Sequence, residues 1–190
     1  MTLGDFIDSE GFKMKIKKGR KSIIGRHIGN LDQLTKEDLE DFKTEGPRTF
    51  IDVSQWLEDG FLLREKPFRA TLKEYNWTKF KNHHVALDCT SEAVLPAWTT
   101  LLITTYLSPY AITINLGSLK DLEKHLFSNV ISSLDLTHYV NKPLMIKGCS
   151  DPFIPEAAYI QLIQRLQTVA KSLFYGEACS SVPLWKANKK

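Results

Sequence analysis

Three cysteines stand in similar short phrases of this 190-residue chain. Cys89 opens CTSEAVLP, Cys149 opens CSDPFIP and Cys179 opens CSSVP, so a Ser or Thr follows each cysteine and a Pro comes soon after. Thiolates are ligands that suit zinc and iron–sulfur clusters. Three cysteines with a fourth position left open suit a reactive or transferable centre, whereas a structural zinc site closes all four positions. The cysteines therefore predict one shared site that holds zinc or an iron–sulfur cluster.

The fourth ligand of such a site is open between water and several side chains. Asp151 and His84 are the main candidates, and His83 and Glu177 are further ones. Three bare thiolates would repel one another strongly in a pocket of low polarity. Either most of them stay protonated or a cation neutralises them, and a bound metal is such a cation.

Two other uses of the cysteines compete with a metal site. Free cysteines are often buried and inert, and the chain has no Cys-x-x-Cys pair, the usual sequence sign of zinc. The chain would then be a non-catalytic interaction or scaffold protein. A metal-free enzyme that uses one reactive thiolate is the other alternative. The residues do not decide whether the chain is an enzyme.

A duplicated segment positions two of the cysteines. Residues 77–117 and 136–176 align, with Asn82 matching Asn141 and Gly117 matching Gly176. Each copy reads as a strand, a cysteine loop, a helix, a second strand and a glycine, because short apolar runs alternate with longer helical patterns. The predicted elements are 84–88, 96–107 and 111–116 in the first copy and 143–147, 155–168 and 170–175 in the second.

Repeats of strand, helix and strand imply parallel strands joined by crossover helices. Further along the pattern, SLKDLEKHLFSNVI (118–131) predicts a helix with Ser118 as its N-cap. Before the first copy, TKEDLEDF suggests a helical patch, RTFIDV a strand, and EKPFRATLKEYNW a helix. The fold class predicted is therefore α/β: a three-layer sandwich with one mostly parallel sheet of four to five strands, built from the duplicated unit.

The predicted sheet explains why the cysteines should meet. Ligands of open parallel sheets bind beyond the carboxyl ends of the strands, and Cys89 and Cys149 both follow such ends. Cys179 follows the last predicted strand by four residues and can reach the same edge. The first two cysteines also precede helices, whose N-termini favour an anion such as a thiolate.

The net positive charge of the chain comes from its first 30 residues. The net charge is +3, and residues 1–30 hold seven Lys or Arg against three Asp or Glu. We expect residues 1–30 to form a basic N-terminal arm, a solvated extension rather than a nucleic-acid contact. Residues 31–190 are expected to form a single α/β domain. No secretory signal or membrane-spanning run is apparent, which predicts a cytoplasmic protein with no membrane partner and with reduced thiols.

The phrases DLEDF, VALDCTSEAVLPAW, IKGCSDPFIPEAAY and YGEACSSVPLWK resemble an uncharacterised bacterial family, domain of unknown function 2480. The resemblance covers about residues 36–187 and includes all three cysteine phrases. It brings no established activity with it. The resemblance implies a gene that lies near iron–sulfur assembly genes, and hence iron–sulfur assembly proteins as partners and a role in iron–sulfur cluster or sulfur handling. The substrate, the metal and the oligomeric state are open at this point.

Overall fold

A computed structural model describes residues 4–7, 13–16, 35–37, 39–147, 154–176 and 181–188. Nine strands and four α-helices are assigned within those residues. In chain order the strands are β1 (Gly4–Ile7), β2 (Lys13–Ile16), β3 (Thr35–Glu37), β4 (Arg48–Asp52), β5 (His84–Asp88), β6 (Thr113–Leu116), β7 (Pro143–Ile146), β8 (Ser172–Tyr175) and β9 (Val182–Lys186). The helices are α1 (Glu65–Glu74), α2 (Trp98–Leu107), α3 (Leu119–Ser133) and α4 (Glu156–Leu166).

The chain divides into two compact units. The first unit comprises Met1–Asp38, Asp135–Cys149 and Ile163–Lys190, and the second comprises Leu39–Leu134 and Ser150–Leu162. Each unit contains its own sheet, and the two copies of the duplicated segment contribute their strands to different sheets. The boundary between the units does not follow the repeats throughout, because the second unit also includes Ser150–Leu162 of the second copy.

The second unit is built on the parallel sheet β4-β5-β6. Residues of β5 are buried on both faces because helices cover both faces of this sheet. On one face, Val85 and Leu87 pack with α1 and α2. On the other face, Ala86 packs with Leu122 and Leu126 of α3. The larger cluster consists of Ile51, Val53, Phe68, Leu72, Trp77, Phe80, Val85, Leu87, Ile103 and Leu107.

The first unit is built on the sheet β3-β7-β8-β9. The first three strands are parallel, and β9 joins the edge of β8 in the antiparallel direction. Leu144 and Ile146 of β7 and Leu173 of β8 are fully buried, as expected for strands covered on both faces. Strands β1 and β2 form a separate antiparallel pair.

The duplication seen in the sequence is confirmed in the backbone. Asn82 and Asn141 both adopt a positive φ, at 63° and 57°. Each donates its N–H to the carbonyl of a matching residue, Tyr110 at 3.0 Å and Val169 at 2.8 Å. Matching residues therefore close the same turn in each copy.

Most predicted elements of the two copies are confirmed, with helices starting one or two residues later than predicted. The capping box at the start of α3 is also confirmed, since Ser118 and Asp121 each accept the backbone N–H of the other. The prediction of a single sheet was wrong. The strands of the first copy form a sheet with β4, and the strands of the second copy form another sheet with β3. The chain is α/β, and a three-layer sandwich over its whole length stays a prediction.

The N-terminal region departs from its predicted structure at two places. Thr35–Glu37, read as part of a helical patch, is the strand β3, and only Leu39–Phe42 is helical, as a 3-10 turn. Within the predicted basic arm, the described residues are the paired strands β1 and β2. The division at residue 30 between an arm and a single domain stays a prediction.

Gly117 ends β6 in a conformation that needs glycine. Its φ is +116°, and a Cβ placed there would lie 3.0 Å from Asp121 Oδ2, within the capping box of α3. We expect Gly117→Ala to lower the free energy of unfolding by about 1–3 kcal/mol, since it adds backbone strain and pushes on the cap.

Gly60→Ala is the matched control in urea unfolding. Gly60 also has a positive φ, +77°, but nothing lies within 4 Å of its Cβ position. Gly60→Ala should therefore lower the free energy of unfolding by less than Gly117→Ala does. Equal losses would show that the contact with Asp121 adds nothing to the effect.

Candidate cysteine site at the strand ends

Cys89 lies directly after β5, at the carboxyl end of the sheet of the second unit. It is a free thiol and is partly buried. Its N–H donates to Asp88 Oδ1 at 2.8 Å, and its Sγ lies 3.3 Å from Ser91 Oγ. The first residue of α2 is Trp98, nine residues after Cys89, so the place of Cys89 at a helix N-terminus stays a prediction. The thiol lies beside the Ser91 hydroxyl of its own loop, and the residue also packs against the larger core cluster of the second unit.

Asp52 ties the cysteine loop to the end of the neighbouring strand. Asp52 and Asp88 are register partners at the ends of β4 and β5. Asp52 accepts hydrogen bonds from the Thr90 hydroxyl, from Thr90 N–H at 3.1 Å and from Ser54 N–H at 2.9 Å. Burial by itself would raise the pKa of Asp52, but these hydrogen bonds outweigh it and lower the pKa to about 2. The carboxylate is therefore a fixed anchor for the residue after Cys89.

Replacing this anchor should change how stability depends on pH. A carboxyl whose pKa is lower in the folded chain stabilises the fold above its unfolded pKa, about 4, and loses that contribution as pH falls through the folded value. We expect Asp52→Asn to be less stable than wild type at neutral pH. The difference should shrink between about pH 4 and pH 2.

Urea unfolding at a series of pH values measures this difference. Asp59→Asn is the control for loss of one negative charge, because Asp59 has a positive φ of 53° in a turn, a conformation that Asn also tolerates. A difference between wild type and Asp52→Asn that stays constant from neutral pH to pH 2 would contradict the role given to Asp52.

His84 lies at the opposite end of β5 from Cys89. It is buried, its Nε2 is 2.8 Å from the Glu45 carbonyl oxygen, and its Nδ1 is 3.1 Å from Thr113 Oγ1. A carbonyl oxygen can only accept, so Nε2 carries a hydrogen and donates it to Glu45, while Nδ1 is within hydrogen-bond distance of the Thr113 hydroxyl. About 13 Å of extended strand separates the two ends. This geometry disfavours His84 as the fourth ligand and as a base for Cys89.

His83 is also engaged at that end of the strand, with Nδ1 2.7 Å from Thr49 Oγ1. The other candidates, Cys149, Asp151, Glu177 and Cys179, lie outside the described residues. Among the residues that the structure describes, no group of three His, Cys, Asp or Glu side chains is placed to hold a metal ion. The metal ligands named from the sequence therefore stay predictions.

The strands that lead to Cys149 and Cys179 end side by side. Ile146 and Tyr175 are register partners at the ends of β7 and β8, and Gly176 N–H donates to the Ile146 carbonyl oxygen at 3.0 Å. Cys149 follows Ile146 by three residues, and Cys179 follows Tyr175 by four. Both cysteines are thus tethered by short segments to one edge of one sheet.

A family model described as "Protein of unknown function (DUF2480)" matches residues 24–187. The chain belongs to the DUF2480 family. No curated protein and no solved structure matched the chain. Membership confirms the resemblance to this family, and it names no activity for this DUF2480 protein. No helix in the described part of the chain is long and apolar enough to cross a membrane.

The second unit of the DUF2480 protein also has a groove that sequence reasoning missed. The groove has a volume of about 940 Å³, and neither Cys89 nor its loop lines it. The groove could not be recognised in the sequence because its lining residues come from three separate segments of the chain. The lining residues are Lys43, Arg48, Leu119, Lys120, Glu123, Lys124, Ile154, Pro155, Glu156, Ala157 and Ile160.

Proposed function

We propose that this DUF2480 protein binds zinc or an iron–sulfur cluster through Cys89, Cys149 and Cys179, and that it acts in iron–sulfur cluster or sulfur handling. The observation that carries the proposal is the pairing of β7 and β8, which ends two cysteine-bearing segments side by side. Neighbouring strands lie about 4.8 Å apart.

Covalent geometry allows the two tethered sulfurs to meet. Three residues of extended chain span at most about 11 Å and four at most about 14 Å, while the two strand ends are a single strand spacing apart. Cys149 and Cys179 therefore form the core of the proposed site. Cys89 is kept as the third ligand from the sequence prediction alone, since the strand before it, β5, belongs to the other sheet.

The chemistry of the proposed ligands favours a metal over three free thiols. Cysteines gathered at one edge would repel as thiolates, and a soft divalent cation or a cluster removes that repulsion while holding the thiolates deprotonated. With His84 engaged by Glu45 and Thr113, Asp151 or water is the better choice for the fourth position. A position filled by water would leave the centre open to exchange with a partner.

The proposal also implies a cellular compartment and partner proteins. A three-thiolate centre persists in a reducing compartment, so we place the protein in the cytoplasm. Its partners would be iron–sulfur assembly proteins, which could donate or accept the metal or cluster. Neither a membrane nor a nucleic acid is required by this function.

Cobalt titration tests the proposal on the full chain. Co²⁺ replaces zinc in thiolate sites and gives intense sulfur-to-metal charge-transfer absorption, whose strength reports the number of bound thiolates. We expect one strong site per chain, displaced by zinc. If cobalt binds only weakly and without charge-transfer absorption, and no cluster can be reconstituted, the cysteines are inert and the scaffold alternative takes the place of the metal site.

A further inference from the structure

A long stretch of the second unit carries no charge. Val94–Leu119 contains no Asp, Glu, Lys, Arg or His, although a quarter of the whole chain is Asp, Glu, Lys or Arg. This stretch includes all of α2 and β6. The matching stretch of the other copy contains four charged residues, Glu156, Arg165, Lys171 and Glu177. The absence of charge therefore belongs to the first copy alone.

Part of this uncharged stretch is exposed and apolar. The exposed fraction is 64% for Leu101 on α2, 61% for Ile112 and 66% for Leu116. Single exposed apolar residues are ordinary on a protein surface. Apolar residues on a surface without charges are typical of the core of a protein interface, where charged residues are depleted.

The outer edge of β6 has no partner among the described strands, whereas the outer edge of the matching strand β8 pairs with β9. In the first unit, β9 pairs with the outer edge of β8, and Leu173 at the centre of β8 is fully buried opposite Trp185. In the second unit, β6 is the edge of its sheet, and no described strand pairs with its outer side. Ile114, the match of Leu173, is only partly buried. An edge strand of this kind is a template for pairing with another chain.

We infer that the outer edge of β6 pairs antiparallel with β6 of a second copy of this chain, about a two-fold axis at Ile114. Alternate residues of a strand share a face, so Ile114 and Leu116 lie on one face of the sheet, and Ile112 directly precedes the strand. With Ile114 opposite its own copy, Ile112 of one chain faces Leu116 of the other. The two exposed side chains then cover each other, and the two sheets join into one sheet of six strands.

The absence of charged residues from Val94–Leu119 favours a second copy of this chain as the partner at the edge of β6. Two-fold pairing brings identical segments together, so any charge near the axis would face a like charge, which destabilises cross-strand pairs. Between Val94 and Leu119 there is no such charge. A four-residue strand buries less than the roughly 1,200 Å² that stable interfaces use. Helix α2, which packs in the same core cluster as Ile114 and exposes Leu101, would supply the rest.

Light scattering coupled to size exclusion tests this inference on the full chain. We expect wild type to run at twice the chain mass of 21.7 kDa. Ile112→Lys and Leu116→Lys should each shift the protein to the monomer mass, because each puts a lysine into the centre of the pairing. Ile160→Lys is the matched control, since Ile160 on α4 is also 61% exposed, and it should leave the dimer intact.

Circular dichroism and a melting curve confirm that each variant is folded, as expected for substitutions at exposed positions. A wild-type monomer at all concentrations overturns the inference, and so does a dimer that survives both lysine substitutions. A dimer lost equally in Ile160→Lys also overturns it, because the interface would then not be specific to β6. A larger species containing a different protein would assign the edge to that partner and reject the second copy.

Discussion

Replacing both Cys149 and Cys179 with serine is expected to abolish metal or cluster binding. These residues follow the adjacent ends of β7 and β8, so the double substitution removes both thiolates that one sheet edge supplies. Even the loss of an outer-shell partner costs about 10- to 100-fold in metal affinity, and the loss of two direct ligands should cost more.

The single substitutions should be graded in effect. We expect Cys149→Ser and Cys179→Ser each to lower cobalt affinity by roughly 100-fold or more, because each removes a sulfur that binds the metal directly. Cys89→Ser should retain a weaker site with less charge-transfer absorption, because it keeps the pair Cys149 and Cys179 that follows the adjacent ends of β7 and β8. Ser91→Ala is the control, since it removes the hydroxyl beside Cys89 Sγ and leaves all three thiols in place.

Three outcomes would contradict this assignment. Full affinity in Cys179→Ser would remove the third segment from the site. Equal loss in all three variants together with lower melting temperatures would point to cysteines that only fill space. A site that depends on Cys89 alone would leave β7 and β8 without the role proposed for them.

Replacing Leu162 with alanine is expected to be the most damaging change tested outside the cysteines. Leu162 lies on α4 and is fully buried. Truncating such a side chain leaves a cavity and costs about 2–5 kcal/mol of unfolding free energy. Ile160→Ala is the control on the same helix, because Ile160 is 61% exposed and surface changes usually stay within about 0.5 kcal/mol.

Denaturant unfolding of the two variants measures the difference. A shift of the midpoint for Leu162→Ala but not for Ile160→Ala is the expected result. Equal shifts would mean that α4 does not bury the face of the helix that carries Leu162. Such a result would also question the alignment of α4 with α2, since the repeat places both helices as the crossover between two parallel strands.

The sequence was most informative where local pattern and sequence repetition agreed. Gly117 and Gly176 end the two copies of the repeat in the sequence, and they adopt φ values of 116° and 108°, which glycine allows at a strand end. Ser118 was expected to cap a helix and does so. These features depend on a few neighbouring residues, whose chemistry can be seen in a short window.

The sequence was least informative about which strands pair. Strand pairing joins residues far apart in the chain, and apolar runs of similar composition do not specify their partners. Strand β9 was missed because Pro183 lies inside it, a residue confined to edge strands and bulges. Strand β3 was missed because Thr-Lys-Glu has no apolar alternation and owes its structure to pairing with β7.

The candidate site was partly accessible to sequence reasoning. The position of Cys89 at a strand end followed from the apolar run before it. The anchoring by Asp52 did not, because it depends on Asp52 and Asp88 being register partners across two strands. Two aspartates that each end an apolar run, in RTFID and HVALD, were the available signal. His84 looked available in sequence because its two partners, Glu45 and Thr113, are distant along the chain.

Metal and acid-labile sulfide analysis of anaerobically purified protein, together with its visible spectrum, tests the central claim most directly. The account predicts bound zinc, or iron with matching sulfide and a coloured spectrum, in wild type, and their loss in the variant with Cys149 and Cys179 both replaced by serine. A colourless wild-type protein that carries no metal, and whose three thiols all react at the same rate before and after addition of zinc, would contradict it.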